Sequence, residues 1–298
     1  MIRAEALTFT YPDGTRAVTE VTLEIKPGEV VAIMGANGSG KTSLLKLLIR
    51  LLKPSSGKIF LDGKEYSKLK DNEVFETIGM VFQDPNDQLF AATVEQDVAF
   101  GATNLGMKPD EVAQRVSNAL KTVGIPELAA KAIHTLSYGQ KKRVALAGVL
   151  AMTPKVILLD EPTGGLDPRS ITPIMFLLKQ LNHDYGTSMV LATHDVDLVP
   201  LFCDRIIVMQ DGRITTQGSP QSILGKPELA RKASLRSPRI AHLTEILKRE
   251  DGIDFQSIPL TISEARKEFL KLYKNKQTGI SRPIRREWQN RYEHKSNQ

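Results

Sequence analysis

A glycine-rich octapeptide is the part of this sequence best suited to chemistry. Residues 35–42 read Gly-Ala-Asn-Gly-Ser-Gly-Lys-Thr and match the pattern G-x4-G-K-[ST] in full. Glycines let a backbone wrap around phosphate groups, so that successive N–H groups and the N-terminus of a following helix face the negative charge. In such a loop Lys41 reaches the β- and γ-phosphates and Thr42 offers a hydroxyl to Mg²⁺. The octapeptide predicts a nucleoside triphosphate site, and the alternative is an ordinary glycine turn.

Two adjacent carboxylates further along the chain could complete this site. Asp160 and Glu161 follow the apolar run at residues 156–159, so we expect them at the carboxyl end of a buried strand. Asp160 could hold Mg²⁺ through water, and Glu161 could face the γ-phosphate and polarise the attacking water. A strand that simply leaves the core gives the same pattern. The glycine-rich loop at 35–42 favours the functional interpretation.

The elements that must position these residues predict an α/β fold. Continuous apolar runs at 30–34, 156–159 and 189–192 are typical of strands buried on both faces. One helix is expected from near Lys41 and another over 171–181. Because buried strands alternate with helices, we predict a mostly parallel sheet.

Other segments predict further elements. Residues 6–11 and 21–25 alternate apolar and polar side chains, as strands with one buried face do. The stretch 71–124 reads mainly as helices and predicts an inserted α subdomain. Amphipathic helices are expected over 237–250 and 261–274.

Length and hydropathy limit the class of protein. The chain has 298 residues, of which 41% are hydrophobic and 25% charged, which suits a globular core of about 220 residues plus an appendage. Its one cysteine, Cys203, cannot form an internal disulfide. Neither a secretory signal nor an apolar run long enough to cross a bilayer is recognisable. We therefore expect a protein of the cytosol, or one attached to a membrane from the inside.

Positive charge is concentrated in the last quarter of the chain. The net charge is +6, and from Lys226 onward 17 Lys and Arg stand against 9 Asp and Glu. This asymmetry predicts a basic appendage on a near-neutral domain. A solvated helical face is the favoured explanation because acidic residues are interspersed, and contact with nucleic acid or anionic lipid is the alternative.

A third motif gives the chain a family resemblance. Residues 136–143 read Leu-Ser-Tyr-Gly-Gln-Lys-Lys-Arg and resemble the signature motif of ATP-binding-cassette ATPases. The other elements of that family follow: Tyr11 matches the aromatic that stacks on adenine, Gln83 the glutamine loop, residues 165–167 the loop that links two active sites, and His194 the histidine switch at the γ-phosphate. The resemblance covers about residues 1–220.

This resemblance implies a fold and a domain organisation. The expected architecture is the P-loop NTPase fold of the ATP-binding-cassette type, an α/β fold with a mixed β core and a helical subdomain at about 84–150. The nucleotide-binding domain would span residues 1–225, and residues 226–298 would form a small, basic, α-rich extension. Such an extension often holds two of these ATPases together, so dimerisation is the favoured role. A structural appendage, or contact with nucleic acid or lipid, is the alternative.

The resemblance also implies a role for each site residue. The protein would bind ATP and Mg²⁺ and hydrolyse ATP, with Glu161 as general base, His194 steadying the γ-phosphate and Lys41 offsetting charge. The residues expected to hold Mg²⁺ are Thr42, Gln83 and Asp160. The residues expected to bind ATP are Tyr11, Gly35, Ala36, Asn37, Gly38, Ser39, Gly40, Lys41, Thr42 and Ser43. The residues expected to reach the ATP of a second subunit are Ser137, Tyr138, Gly139 and Gln140.

Two positions depart from the family pattern. Tyr138 stands where the signature usually has a second glycine, which lets the backbone approach the partner's γ-phosphate closely. Gly164 and Gly165 replace the more usual serine and alanine. We expect that the first change could weaken contact with the partner's ATP and that the second could loosen communication between two sites. Every position that contacts phosphate or metal is intact, so an active site is predicted.

A narrower resemblance points to transport. Residues 84–90, 137–143 and 193–199 resemble the energy-coupling-factor group, which serves micronutrient uptake, and within it most closely the cobalt (cobalt or nickel) type. The implied function is ATP hydrolysis on the cytoplasmic face of the cell membrane, by a peripheral subunit that powers metal-ion uptake. The implied partners are a second ATPase subunit, identical or related, a transmembrane coupling subunit and a substrate-binding membrane subunit.

The segment after Gln83 gives a docking hypothesis. Leu89 and Phe90 are expected to line a groove for a helix of the coupling subunit, while Asp84 and Asp87 meet basic residues of that helix. The alternatives for the whole protein are the ATPase of a vitamin-uptake system of the same group, a soluble ATPase acting on nucleic acid or ribosomes, and a small-molecule kinase. The chain has neither a second cassette nor a long coiled coil, so we expect no nucleic-acid partner.

Overall fold

The computed structural model describes residues 1–277 and divides the chain into two compact units. The first unit comprises Met1–Asp195 and Phe202–Gly218, and the second comprises Val196–Leu201 and the chain from Ser219 onward. The predicted domain boundary, between residues 225 and 226, lies slightly further along the chain, and the division of roles between the domains remains a prediction. Residues 278–298 of the predicted extension lie outside the described residues.

Strands and helices alternate along the described residues. The strands are β1 (Ile2–Thr10), β2 (Arg16–Ile25), β3 (Val30–Met34), β4 (Ser56–Leu61), β5 (Lys64–Glu65), β6 (Ile78–Val81), β7 (Val156–Asp160), β8 (Ser188–Ala192), β9 (Arg205–Gln210) and β10 (Arg213–Gly218). The helices are α1 (Lys41–Leu48), α2 (Asp71–Thr77), α3 (Val94–Asn104), α4 (Pro109–Thr122), α5 (Tyr138–Ala151), α6 (Pro168–Tyr185), α7 (Val199–Phe202), α8 (Pro220–Ile223), α9 (Pro227–Lys232), α10 (Arg239–Glu250) and α11 (Ile262–Gln277).

A six-stranded sheet forms the centre of the first unit. Its strand order is β10-β9-β3-β8-β7-β6, and β9, β3, β8, β7 and β6 run parallel while β10 is antiparallel. Every residue of β3, β6, β7 and β8 is buried, as expected of strands covered on both faces. The predicted α/β fold with a mostly parallel sheet is confirmed.

A second sheet is antiparallel and has the order β2-β1-β4-β5. Buried side chains alternate along β1 and β2, which confirms the strands predicted over 6–11 and 21–25. The buried face of this sheet shares one apolar core with α1 and with the central strands β3 and β7. This core fixes the helix that starts at the glycine-rich loop.

The prediction that residues 71–124 are mainly helical missed one strand. Helices α2, α3 and α4 lie there as expected, but Ile78–Val81 forms β6 and pairs in parallel with β7. The strand has four residues and includes Gly79, so its signal is weak beside the helical segments around it. A Cβ on Gly79 would lie 2.5 Å from Cγ1 of Val149, a residue of α5. Helices α3 and α4 both pack on α5, within the subdomain predicted at about 84–150.

The helix predicted over 171–181 extends further at both ends. Helix α6 begins earlier because the Asp167 carboxylate caps it, accepting the N–H groups of Arg169 and Ser170 at 2.9 and 3.1 Å. It ends at Gly186, whose φ of +65° is typical of glycine after the last turn.

Helices α10 and α11 of the second unit confirm the amphipathic helices predicted over 237–250 and 261–274. Between them Phe255 is buried, and its ring meets Phe269 edge-on with 5.3 Å between ring centroids. Within residues 1–277, no helix is both long enough and apolar enough to cross a membrane.

Three neighbouring parallel strands bring the predicted site residues to one edge of the central sheet. Strands β3, β8 and β7 lie side by side, so their carboxyl ends meet. Residues 35–42 follow β3, Asp160 ends β7 and Glu161 comes next, and His194 comes shortly after β8. The fold therefore gathers residues that are far apart in the sequence.

The beginning of β3 is fixed by charged side chains. The Arg205 guanidinium donates to both carboxylate oxygens of Glu29, at 2.6 and 3.0 Å, and also to the carbonyl oxygen of Glu24. Burial alone would raise the pKa of Glu29, but hydrogen bonds from Arg205 and from the Lys26 N–H hold it below its ordinary value. This pair anchors the strand that leads into the glycine-rich loop.

We predict that Glu29→Gln lowers the free energy of unfolding by about 1.5–3 kcal/mol near neutral pH, the range for a hydrogen bond to a charged group. Because the folded-state pKa of Glu29 is lowered, its contribution is present above the ordinary carboxyl pKa and is lost as the pH falls through the folded-state value. Urea unfolding followed by circular dichroism should therefore show a difference that disappears in acid. Glu24→Gln removes a charge from an exposed side chain and is the control. Equal stability of the two variants at neutral pH would contradict the prediction.

Candidate functional site

The loop at residues 35–42 needs glycine at two positions where another segment comes close. Gly35 has a φ of +154° and a Cβ there would collide with the carbonyl oxygen of Met209. Gly40 has a φ of +99° and a Cβ there would collide with the carbonyl oxygen of Ala17. Gly40 is also the N-cap of α1. The first N–H groups of α1 therefore point towards the loop, in an arrangement suited to an anion.

The side chain of Lys41 is buried inside this loop. Its Nζ donates to the carbonyl oxygens of Gly35 and Ala36, each at 2.9 Å. Burial lowers the pKa of Lys41, and the charges of Glu161 and Asp160 oppose that change. Two carbonyl groups thus hold the Lys41 ammonium at the base of the loop, and the two nearby carboxylates favour its charged form.

Thr42 and Asp160 place two side-chain oxygen atoms next to each other in the site. The Thr42 hydroxyl donates to Oδ2 of Asp160 at 2.7 Å. Burial raises the pKa of Asp160, the Thr42 hydrogen bond opposes the change, and the neighbouring charge of Glu161 adds to it. Hard oxygen ligands of this kind fit Mg²⁺, which binds proteins through one or two carboxylates and takes its other ligands from phosphate and water. Accordingly, residues 1–277 contain no cluster of three or more His, Cys, Asp or Glu side chains able to hold a metal ion by themselves.

Glu161 and His194 form a second pair at the same edge. Oε1 of Glu161 lies 2.8 Å from Nδ1 of His194, and the Thr193 hydroxyl donates to Oε2 at 3.5 Å. Glu161 is buried, whereas the His194 side chain is 71% exposed. The backbone of Glu161 has a φ of +44°, an uncommon value for a residue with a side chain. A carboxylate held by an imidazole can accept a proton from a water molecule beside it.

The remaining loop residues differ in exposure. Ala36, Asn37 and Gly38 form the exposed tip of the loop, and Ser39 and Ser43 are buried. The Ser39 hydroxyl is buried without a hydrogen-bond partner in the part of the chain that the structure describes, which fits a loop whose polar groups serve a bound phosphate. The Tyr11 hydroxyl is 3.0 Å from Oγ of Ser43, so the aromatic ring expected to stack on adenine lies beside α1.

The predicted signature residues lie at the start of α5. Ser137 is its N-cap, accepting the N–H of Gln140 at 3.3 Å, while the Gln140 side chain accepts the N–H of Ser137 at 3.0 Å. Gly139 lies in the first turn, and its nearest side-chain neighbour is Leu166, at 3.6 Å from the position of a Cβ. Besides the N-terminus of α1 at Lys41, the N-terminus of α5 could therefore also face an anion, and its cap residue Ser137 is exposed.

Gln83 lies just beyond the carboxyl end of β6 with an exposed side chain. Its carbonyl oxygen accepts the hydroxyl of Tyr138 at 3.2 Å, a contact that sequence analysis did not anticipate.

The buried position of Lys142 was not predicted either. Its Nζ is buried and donates to the carbonyl oxygen of Glu161 at 2.7 Å, and burial lowers its pKa to about 8. The basic run at 141–143 resembles a solvated face, so no sequence pattern indicates this contact.

The docking hypothesis is wrong for Leu89, whose side chain is buried and cannot line an open groove. Phe90 is exposed and packs edge-on against Phe100, with 4.6 Å between ring centroids. Asp84 accepts the backbone N–H and the side-chain amide of Asn86, so it caps a turn. Phe90 and Phe100 together, which we call the aromatic pair, form the exposed apolar surface of this segment.

Comparison with known proteins shows which family the chain belongs to. The profile of the ABC transporter family matches residues 18–164. The energy-coupling factor transporter ATP-binding protein EcfA2 of Clostridium perfringens is 50% identical over 278 residues, which cover 93% of this chain and 97% of the relative.

Two solved structures are similar over most of the chain. One is cbiO1 from Clostridium perfringens, described as part of the ABC transporter complex cbiONQ, at 50% identity and a TM-score of 0.69, covering 82% of this chain and 98% of that one. The other is the ATP-binding cassette MJ0796, solved as a dimer in a post-hydrolysis state bound to ADP and Pi, at 34% identity and a TM-score of 0.68, covering 74% and 99%. This chain belongs to the ABC transporter ATPases, in the group of energy-coupling-factor transporter ATP-binding proteins.

Proposed function

We propose that this chain hydrolyses ATP between two nucleotide-binding domains and thereby powers an energy-coupling-factor importer, with a transition-metal ion, cobalt or nickel, as its cargo. The observation that carries the catalytic part is the convergence of two side-chain pairs beside residues 35–42. The Thr42–Asp160 pair supplies oxygen ligands, and the Glu161–His194 pair supplies a proton acceptor. Both pairs lie at the carboxyl edge formed by β3, β8 and β7.

The proposed mechanism assigns a task to each side chain. The N–H groups of residues 35–43 and the ammonium of Lys41 bind the β- and γ-phosphates, with the Tyr11 ring against the adenine. The Glu161 carboxylate orients water for in-line attack on the γ-phosphorus and accepts its proton. His194, 2.8 Å away, holds that carboxylate and contacts the γ-phosphate. Lys41 offsets the charge that develops on the leaving oxygen.

Thr42 and Asp160 are proposed to hold Mg²⁺, with Gln83 completing the ligand set from the adjacent strand. An ion held by these residues would neutralise part of the negative charge on the phosphates. The Asp160 carboxylate suits this task because a cation beside a buried carboxylate favours its ionised form and opposes the effect of burial on its pKa. Thr42 keeps the carboxylate oriented through its hydroxyl.

A second subunit is proposed to complete the ATP site. The N-terminus of α5, with Ser137, Tyr138, Gly139 and Gln140, offers backbone N–H groups to the γ-phosphate bound by the partner. The similar cassette MJ0796 was solved as a dimer with hydrolysis products, which supports this arrangement. Either a second copy of this chain or a related ATPase fits the proposal.

The C-terminal extension at residues 226–298 is proposed to strengthen the pairing of two subunits. In the second unit, helices α10 and α11 carry exposed apolar side chains that a partner could cover. These are Leu243 (46% exposed), Ile262 (80%), Leu270 (43%) and Tyr273 (61%). Burying such groups stabilises association by about 25 cal/mol per Å² before the costs of association.

We propose a position on the cytoplasmic face of the membrane, bound to a transmembrane coupling subunit and through it to a substrate-binding membrane subunit. The aromatic pair supports this, because exposed neighbouring phenylalanines are unusual unless another molecule covers them. The likeness to cbiO1, described as part of the complex cbiONQ, supports membrane partners for this chain too. Uptake of a vitamin by the same type of complex is the alternative for the cargo.

Glu161→Gln should lower the turnover of ATP about 10²–10⁴-fold, the range expected when a general base is lost. The amide keeps the size of the carboxylate and should leave the affinity for ATP nearly unchanged, because the phosphate-binding loop is intact. Steady-state phosphate release and titration with a fluorescent ATP analogue measure the two effects. Glu127→Gln, on an exposed side chain, is the matched control and should behave as wild type. Near-normal turnover of Glu161→Gln would remove Glu161 from the role of general base.

Replacing the aromatic pair by Phe90→Asp and Phe100→Asp should prevent co-purification with the membrane coupling subunit, because a buried charge opposes docking. Turnover of the isolated ATPase should change less than about twofold, since neither side chain touches the site. Phe176→Asp, at a similarly exposed phenylalanine of α6, is the control. Undiminished co-purification after both substitutions would place the coupling interface elsewhere.

The cargo is tested by uptake with the assembled complex. Vesicles that contain the complex and internal ATP should accumulate radioactive cobalt or nickel, and the Glu161→Gln complex should not, because transport depends on hydrolysis. The same vesicles are offered radioactive vitamins in parallel. Uptake of a vitamin without uptake of either metal would refute the metal cargo while leaving the proposed ATPase role intact.

A further inference from the structure

The two departures from the family pattern, at Tyr138 and at Gly165, meet in space. Gly165 has a φ of +73°, and the ring of Tyr138 occupies the space where its side chain would be. A Cβ at position 165 would lie 2.7 Å from Cε1 of Tyr138 and 3.1 Å from Cζ. A contact of 2.7 Å is essentially never seen for a real Cβ, so an alanine at position 165 would force either the Tyr138 ring or the loop at residue 165 to move.

Tyr138 also contacts a second loop. Its hydroxyl donates to the carbonyl oxygen of Gln83 at 3.2 Å. The hydroxyl is the donor in this contact, because a carbonyl oxygen can only accept. One side chain thus joins the first turn of α5 to the glutamine loop and to the loop that contains Gly165.

Lys142 lies one turn further along α5, on the same face as Tyr138. Its Nζ is 5.8 Å from the centroid of the Tyr138 ring and donates to the carbonyl oxygen of Glu161 at 2.7 Å. The same carbonyl accepts the N–H of Gly164 at 3.0 Å. The backbone around Glu161, with its φ of +44°, is therefore held from α5. An uncommon backbone conformation persists only where the surrounding contacts determine it.

We propose that Tyr138 is a positioning residue for hydrolysis, which acts by fixing the loop at residues 161–167 through Gly165 and the glutamine loop through the carbonyl of Gln83. The Tyr138 ring occupies the space that a side chain at position 165 would need, so the two residues fit each other. The two departures, which we expected to act separately on contact with the partner's ATP and on communication between two sites, belong to one contact. This inference rests on the proposed role of Glu161 for its effect on turnover, but the contact itself does not depend on that role.

The contact makes a prediction about pairs of substitutions. In the full chain, Gly165→Ala should lower kcat at least about tenfold with KM for ATP within about twofold, because the loop that carries Glu161 is displaced while the phosphate-binding loop is not. Tyr138→Gly should restore kcat in the Gly165→Ala background to within about threefold of Tyr138→Gly alone, since residues in contact are not additive. The thermal unfolding midpoint should show the same rescue.

Two control variants separate the steric effect of the Tyr138 ring from the effect of its hydroxyl and from the cost of backbone strain at position 165. Tyr138→Phe keeps the ring and removes the hydroxyl, so it should not rescue Gly165→Ala. Gly186→Ala introduces alanine at a comparable φ of +65° where a Cβ would meet no atom within 4 Å, so it measures the cost of backbone strain alone. Tyr138→Gly should not improve the unfolding midpoint of Gly186→Ala.

The two measurements distinguish the possible failures. Additive effects of Tyr138→Gly and Gly165→Ala on both kcat and the unfolding midpoint would overturn the inference. Rescue of the midpoint without rescue of kcat would make the pair purely structural and would overturn the positioning role. If wild type and all variants lacked ATP hydrolysis, the proposed function would fail and the positioning role with it, and rescue of the unfolding midpoint would then demonstrate the contact alone.

Discussion

A buried group of opposite charges is the interaction on which the first unit depends. Lys41, Asp160 and Glu161 are each less than a tenth exposed. Taking one such charge out of water costs several kcal/mol, and the cost is offset only where opposite charges and hydrogen bonds replace the water. Burial is the largest effect on the pKa of both Lys41 and Asp160. At Lys41 the two carboxylates oppose it, and at Asp160 the Thr42 hydrogen bond and the charge of Lys41 oppose it while Glu161 adds to it. The order β3-β8-β7 is what allows this compensation, because it places the three strand ends side by side.

The residues at the carboxyl ends of β3 and β7 could be predicted from the sequence, because each segment has a recognisable pattern of its own. Residues 35–42 match a pattern whose glycines serve close backbone approaches, and the run before Asp160 is apolar enough to indicate a strand. β6 was missed because four residues with a glycine among them carry little periodicity. The orientation of Leu89 was wrong because an apolar pair in a loop does not reveal which side chain faces inward. Lys142 was missed because burial of a lysine depends on a carbonyl supplied by a distant segment.

The pairing of Tyr138 with Gly165 shows how a departure from a pattern changes meaning once distances are known. In the sequence, a bulky residue at 138 suggests weaker contact with the partner's ATP. A glycine at 165 suggests looser communication between two sites. In space the ring fills the volume that the glycine leaves, and its hydroxyl reaches the carbonyl of Gln83. Close packing makes the two residues one steric unit, so neither can be judged without the other.

In the proposed function, ATP needs two helix N-termini, and this chain presents them on different segments. The N-terminus of α1 continues from the phosphate-binding loop, whereas that of α5 follows Leu136, upstream of β7. Ser137 and Gln140 satisfy each other through a capping box, so α5 is ordered before any phosphate arrives. Tyr138 and Lys142 join the first turns of α5 to the loops around Gln83 and Glu161. In the proposed function, a phosphate of the partner's ATP bound at the start of α5 would therefore contact a helix that is hydrogen-bonded to the backbone that carries the general base.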